Sequence, residues 1–137
     1  MRSTVLAILF CSLTIAGKAQ NAANIIQTFY SGFEQKDWAI SSSQLAEGFT
    51  FTSPAPDDHI PLAAFKEKCW PQSKFMKKID FIAIVQDGDR AFALYTITTT
   101  DNKVIRNTEY YTFSKGKIKT IECFFGGSGA GYPSNAR

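Results

Sequence analysis

Histidine is almost missing from this chain of 137 residues, which has one, His59. Cysteine is scarce as well, at three, and Cys11 falls in an N-terminal leader, leaving Cys69 and Cys123 for the folded part. With no CxxC or HExxH spacing, this excludes a disulfide framework and leaves a poor start for a zinc site. Cys69 and Cys123 can still pair in an oxidising compartment; the plainer reading is two buried free thiols. Walker and dinucleotide fingerprints are absent, since the Gly-rich "FGGSGAGYP" follows the last extended run and opens no helix. A basic stripe is absent too, because the lysines are scattered apart from Lys74, Lys77 and Lys78, so nucleic acid is not an expected partner. No apolar run is long enough to span a bilayer as a helix. Nothing calls for a metal or a cofactor.

What is present begins with a leader. Arg2 is followed by an apolar stretch from Val5 to Ile15 and by small residues around Ala16-Gly17-Lys18-Ala19. That order reads as a secretory signal peptide, residues 1–19, cleaved after Ala19, and implies export to the periplasm or beyond. Its removal takes Arg2 and Lys18 away and leaves 13 of the 15 basic residues against 12 acidic ones, a nearly neutral chain. The remainder suits one domain, residues 20–127, with a Gly-rich tail at 128–137. Twelve Phe residues point to a core or cavity lined with rings.

Ile25, Ile26, Phe29 and Phe33 recur at three- and four-residue steps, the apolar face of a helix over Asn24–Lys36. Asp37 suits the N-cap of a second helix, Trp38–Ala46, ended near Gly48. A short strand Phe49–Thr52 runs into the Pro-rich loop "SPAPDDHI", and Pro61 suits the first turn of a third helix carrying Leu62, Phe65 and Cys69 inward and stopping before Pro71. From Lys78 onward the period becomes extended. Four β-rich runs are separated by Asp-Gly-Asp, Asp-Asn-Lys and Lys-Gly-Lys, turn sequences that accept positive φ. Helices first and an antiparallel meander after make an α+β domain. Runs such as Ile79–Val85 are apolar on both faces, so a homodimer partner is expected on the second face.

In this order, "FYSGFEQKDW", "LAEGFTFTSP", "DDHI", "FKEKCWP", "NTEYYTF" and "GKIKTIECFFG" resemble the SnoaL-like domains of the nuclear transport factor 2-like superfamily. The resemblance covers Asn24–Gly127. It implies a cone in which a curved, mostly antiparallel sheet wraps about three N-terminal helices around an apolar pocket. Fold does not fix function, because the superfamily contains enzymes, binders and dimerisation modules. Set against ketosteroid isomerase, a member of that superfamily, Ser53 stands where the catalytic carboxylate base belongs. Phe29 stands where the tyrosine donor belongs, with Tyr30 pointing to another side. Only Glu109 matches, at the place of the second acid.

Strand alternation puts Asn107, Glu109, Tyr111 and Phe113 on one face, and Arg106, Thr108 and Tyr110 on the other, towards the surface or a dimer contact. A carboxyl among Phe and Tyr would be poorly solvated and its pKa raised, which suits a general acid; the alternative is a structural pairing that holds the sheet in register. The loop has two readings as well. Asp57 or Asp58 orients the His59 imidazole at the pocket mouth, making His59 and Glu109 an acid–base pair assisted by Asp58. Alternatively the aspartates cap the third helix and His59 is solvated. Residues expected against a ligand are Ser53, Trp70, Asn107, Tyr111 and Phe125, while Trp38, Trp70 and Tyr30 also suit plain core packing. The expected function is an exported pocket protein for a small, largely apolar molecule. The alternatives are a cofactor-free lyase, dehydratase, isomerase or cyclase, and a non-catalytic dimerisation module.

Overall fold

The computed structural model of the chain describes residues 21–54 and 56–124. The expected leader with Cys11, the candidate Phe125 and the Gly-rich tail lie outside the described residues.

The first helix, α1, spans Ala22–Gln35, its free N–H groups met in part by the Asn21 side chain, which accepts from Asn24 N at 3.1 Å. It is buried through Ile25, Ile26, Phe29, Tyr30 and Phe33, a stripe wider than a surface helix shows because a sheet wraps it. Lys36, at a φ of 61°, ends it. Asp37 then caps α2, Trp38–Ser43, by accepting from Ala39 N at 2.8 Å. Gly32 lets α2 fold back so closely: a Cβ there would stand 2.1 Å from Ser41 Oγ and 2.7 Å from Ser41 N. Ser41 is fully buried in the contact and donates to the Phe29 carbonyl at 2.8 Å.

Two boundaries differ from the sequence reading. The helix expected to reach Ala46 stops at Ser43, and the strand expected to open at Phe49 opens at Leu45 as β1, Leu45–Thr52. Three successive serines are weak in a helix interior. Leu45 finds a strand partner in Ile118, and Gly48, at a φ of 65°, lies within the register shift between Leu45 and Thr50. The third helix, α3, covers Leu62–Lys68 and buries Phe65, but Leu62 is exposed rather than inward. Its first turn follows directly on β2, Ile60–Pro61, at the edge of the sheet. The helix stops before Pro71 as expected, and a separate 3-10 helix then runs from Trp70 to Phe75 with proline in its first turn, where the missing N–H does no harm.

The meander follows as β3 Met76–Asp87, β4 Arg90–Thr99, β5 Val104–Ser114 and β6 Lys117–Phe124. The six-stranded sheet has the order β2-β1-β6-β5-β4-β3 and is antiparallel except where β1 runs parallel to β6. This is the expected α+β architecture, a curved and mostly antiparallel sheet around the N-terminal helices. Its inner face is buried at Ala91, Ala93, Tyr95 and Ile97 of β4, then Asn107, Glu109, Tyr111 and Phe113 of β5. The outer face leaves Val85, Phe92 and Phe124 exposed, and Phe92 packs on Tyr110 with ring centroids 4.9 Å apart. Among the described residues no helix is long and apolar enough to cross a membrane.

Candidate functional site

Because the sheet curves around α1 without filling the space beneath it, a cavity of about 590 Å³ remains on the inner face. Its walls are aromatic and aliphatic, with Phe29 and Phe33 from α1, Phe51 from β1, Phe65 from α3, Ile97 from β4 and Ile121 from β6. Polar atoms are few, and two of them are carboxyls. Such a site, apolar with a handful of placed polar groups, has the form of a small-molecule pocket.

Glu109 is buried, at 3 % exposure, on strand β5. Oxygen Oε2 accepts the Tyr30 hydroxyl at 2.5 Å and also the Tyr111 hydroxyl. The Tyr30 hydroxyl lies 2.7 Å from that of Tyr95, to which Asn107 Nδ2 donates at 2.7 Å. Burial pushes the Glu109 carboxyl above the ordinary carboxylate range, while hydrogen bonds from Tyr111 and Tyr30 pull the other way without overcoming it. The three phenols are held well above their usual pKa, first by burial and then by Glu109 for Tyr30, Tyr95 and Tyr111 alike. Burial thus shifts the centre towards the neutral acid and keeps the three phenols protonated.

Tyr30 overturns the expectation that it points away from the pocket. It is 5 % exposed, lines the cavity and bonds to Glu109. Phe29 lines the cavity too, since the enclosed helix presents more than a narrow stripe. Tyr30 stands four residues after Ile26 and three before Phe33, so the helical period itself placed it on the buried side. Its ring is shared with a second, more open cleft of about 310 Å³ between α1 and β3, lined by Gln27, Ser31, Glu34 and Asp80 among others.

Of the remaining candidates, Ser53 and Asn107 line the cavity. Tyr111 is fully buried behind it as a donor to Glu109. Trp70 stands one layer out, packed edge-on against Phe33 at 4.8 Å and Trp38 at 5.1 Å. Arg106, expected at the surface, is at the cavity wall. The structure does not bring His59 to Glu109. His59 takes a φ of 49° and turns outward, its side chain 70 % exposed and 2.5 Å from Asp58, itself 82 % exposed. The neighbour Asp57 lines the cavity instead, 15 % exposed, accepting from Lys68 at 3.0 Å and from Ser53 Oγ at 3.4 Å.

Cys69 and Cys123 are free thiols and both line the cavity. Burial pushes the Cys69 thiol to about 11 and raises that of Cys123 further, so neither is a thiolate at neutral pH. Among the described residues, no cluster of three histidine, cysteine or carboxylate groups is placed to hold a metal ion.

The model of the SnoaL-like domain matches residues 26–121. The chain belongs to this family. Solved structures with the same fold as this SnoaL-like domain include a putative polyketide cyclase from Xanthomonas campestris pv. campestris, 21 % identical, covering 80 % of this chain and 93 % of that one with a TM-score of 0.62. A cystatin-like protein of unknown function from Methylobium petroleophilum PM1 is also 21 % identical, over 79 % and 77 % of the two chains, at a TM-score of 0.66. A putative hydroxylase from Streptomyces galilaeus is 13 % identical, over 76 % and 74 %, at 0.64. Identities this low establish the fold and no more. No curated protein matches the sequence.

Proposed function

We propose that this SnoaL-like domain binds a small, largely apolar molecule that places an oxygen atom against Glu109. The observation that carries this reading is a neutral-leaning carboxyl, backed by two tyrosine donors, in the wall of an otherwise ring-lined cavity. A protonated carboxyl in apolar surroundings is a strong hydrogen-bond donor, and an unmatched ligand would leave it unsatisfied. A putative polyketide cyclase and a putative hydroxylase among the structures of the same fold suit a ligand of that kind. The test compares 2-acetylnaphthalene with naphthalene, followed by quenching of Trp38 and Trp70 fluorescence. The ketone is expected to bind about tenfold more tightly than the hydrocarbon, and Glu109→Leu to abolish the difference. Equal affinities for the two compounds would refute the reading.

A second reading is favoured by Asp57. Two carboxyls line one cavity in contrasting surroundings, Glu109 buried among phenols and Asp57 at the rim beside Lys68. Environments that separate two carboxyls in this way suit an acid and a base for cofactor-free proton transfer. Asp57 would take a proton from the carbon next to the ligand carbonyl while Glu109 protonates the carbonyl oxygen, giving the enol. Exchange of that hydrogen for deuterium in D2O is the readout, and no exchange above the uncatalysed rate would remove this reading. Export, by cleavage after Ala19, and dimerisation through the outer sheet face complete the proposal. Mass spectrometry of the secreted chain under native conditions tests both.

A further inference from the structure

The hydrogen bonds around Glu109 have a direction, and Asn107 sets it. Asn107 Oδ1 accepts the backbone N–H of Thr108 at 2.9 Å. A backbone N–H only donates, so the atom facing it must be the amide oxygen. The amide nitrogen is thereby turned towards the Tyr95 hydroxyl at 2.7 Å and Cys123 Sγ at 3.1 Å. Tyr95 therefore accepts a hydrogen bond from Asn107, and its own hydrogen is left for the Tyr30 hydroxyl or the Glu109 carboxyl. The single hydrogen of Tyr30 goes to Glu109 Oε2.

Oε2 thus receives two hydrogens, from Tyr30 and Tyr111, and both its lone pairs are engaged. A proton carried by the carboxyl belongs on Oε1. The geometry points to Asn107 as a positioning residue: its amide turns the Tyr95 hydroxyl away from itself, so that Tyr95 and Tyr30 both send their hydrogens towards Glu109. This deepens the proposed function and rests on it for the ligand, though the orientation itself does not need one. The titratable groups facing Glu109 are Tyr30 from α1, Tyr95 from β4, Tyr111 on its own strand and Cys123 from β6. All four hydrogen-bond to the carboxyl and oppose the effect of its burial.

The expectation is tested on the ligand-free full chain by following the side-chain carboxyl of Glu109 in 13C-glutamate-labelled protein as pH is varied, with Glu109→Gln to assign the signal. In Asn107→Leu, Tyr95 is released and Tyr30 divides its hydrogen between Tyr95 and Glu109. The titration midpoint should rise by roughly one pH unit, a tenfold gain in proton affinity. Made on Tyr95→Phe, the same Asn107 substitution should add no further shift, because the chain is already cut. An unshifted midpoint in Asn107→Leu would overturn the inference. So would equal shifts in both backgrounds, which would show Asn107 acting by packing or directly on Glu109. If Asn107→Leu does not give a folded near-ultraviolet spectrum, Asn107→Ser replaces it, being too short to reach Tyr95. Ketone binding is measured alongside. A shifted midpoint with no ketone preference removes the ligand reading alone, and an intact preference with an unshifted midpoint removes the role of Asn107 alone.

Discussion

Two carboxylates in this protein make hydrogen bonds of the same length, 2.5 Å, in opposite surroundings. Glu109 accepts from Tyr30 inside the cone, and Asp58 pairs with His59 on a loop open to water. In the first, burial dominates. The carboxyl is pushed towards its neutral form and the phenols with it, so each proton has a defined place. In the second, water competes for every donor and salt screens the charges, so the pair holds little of the structure together. Length alone does not mark a working site. What separates the two is the dielectric around them and the presence of a cavity wall beside one of them.

The largest effect is expected from Asp57 and Asp58, adjacent in sequence and on opposite sides of the rim. If the proton-transfer reading holds, Asp57→Asn lowers deuterium exchange into 2-acetylnaphthalene on the order of a hundredfold, while Asp58→Asn leaves it unchanged. Equal effects would erase the contrast between them. Next in size is Tyr30→Phe, which removes the hydroxyl from between two buried groups and should cost about 1–3 kcal/mol in urea unfolding. His59→Ala should stay within about 0.5 kcal/mol of the parent, as exposed substitutions do. A destabilised His59→Ala with a neutral Tyr30→Phe would invert the account.

A smaller effect concerns pH. The folded Glu109 carboxyl titrates above its ordinary 4.5, so the native state holds this proton over a range where the unfolded chain has lost it. Its contribution is fully present below 4.5 and is lost as pH rises through the folded value, so stability falls across that window. Glu109→Gln should flatten this part of the stability curve. A parent and variant with parallel curves would place the proton elsewhere.

Much of the architecture was legible because it rests on period and turn chemistry. The apolar steps of α1, the Asp37 cap, and the glycine and asparagine turns between β3 and β6 are local signals. Alternation along "NTEYYTF" likewise placed Asn107, Glu109 and Tyr111 on the inner face. What escaped depends on contacts distant in the chain. Leu45 joins the sheet through Ile118, and no local pattern announces that partner. Tyr30 was within reach of the helical period, but its bond to Glu109 spans 79 positions. The choice between Asp57 and Asp58 was not readable at all. It is made by the path of the loop, in which Ser53 N donates to the Asp57 carbonyl at 2.9 Å and His59 N to Thr52 Oγ1 at 3.1 Å, turning one aspartate in and the next out.

The account stands most directly on Glu109 acting as a neutral donor to a ligand oxygen, and the affinity for 2-acetylnaphthalene as a function of pH tests that. In the parent protein the affinity should be highest at low pH and fall as Glu109 ionises, because a carboxylate repels a carbonyl oxygen. In Glu109→Gln, whose amide donates at every pH, it should be retained and flat. An affinity in the parent that does not change with pH, or a decline that persists in Glu109→Gln, would contradict the account.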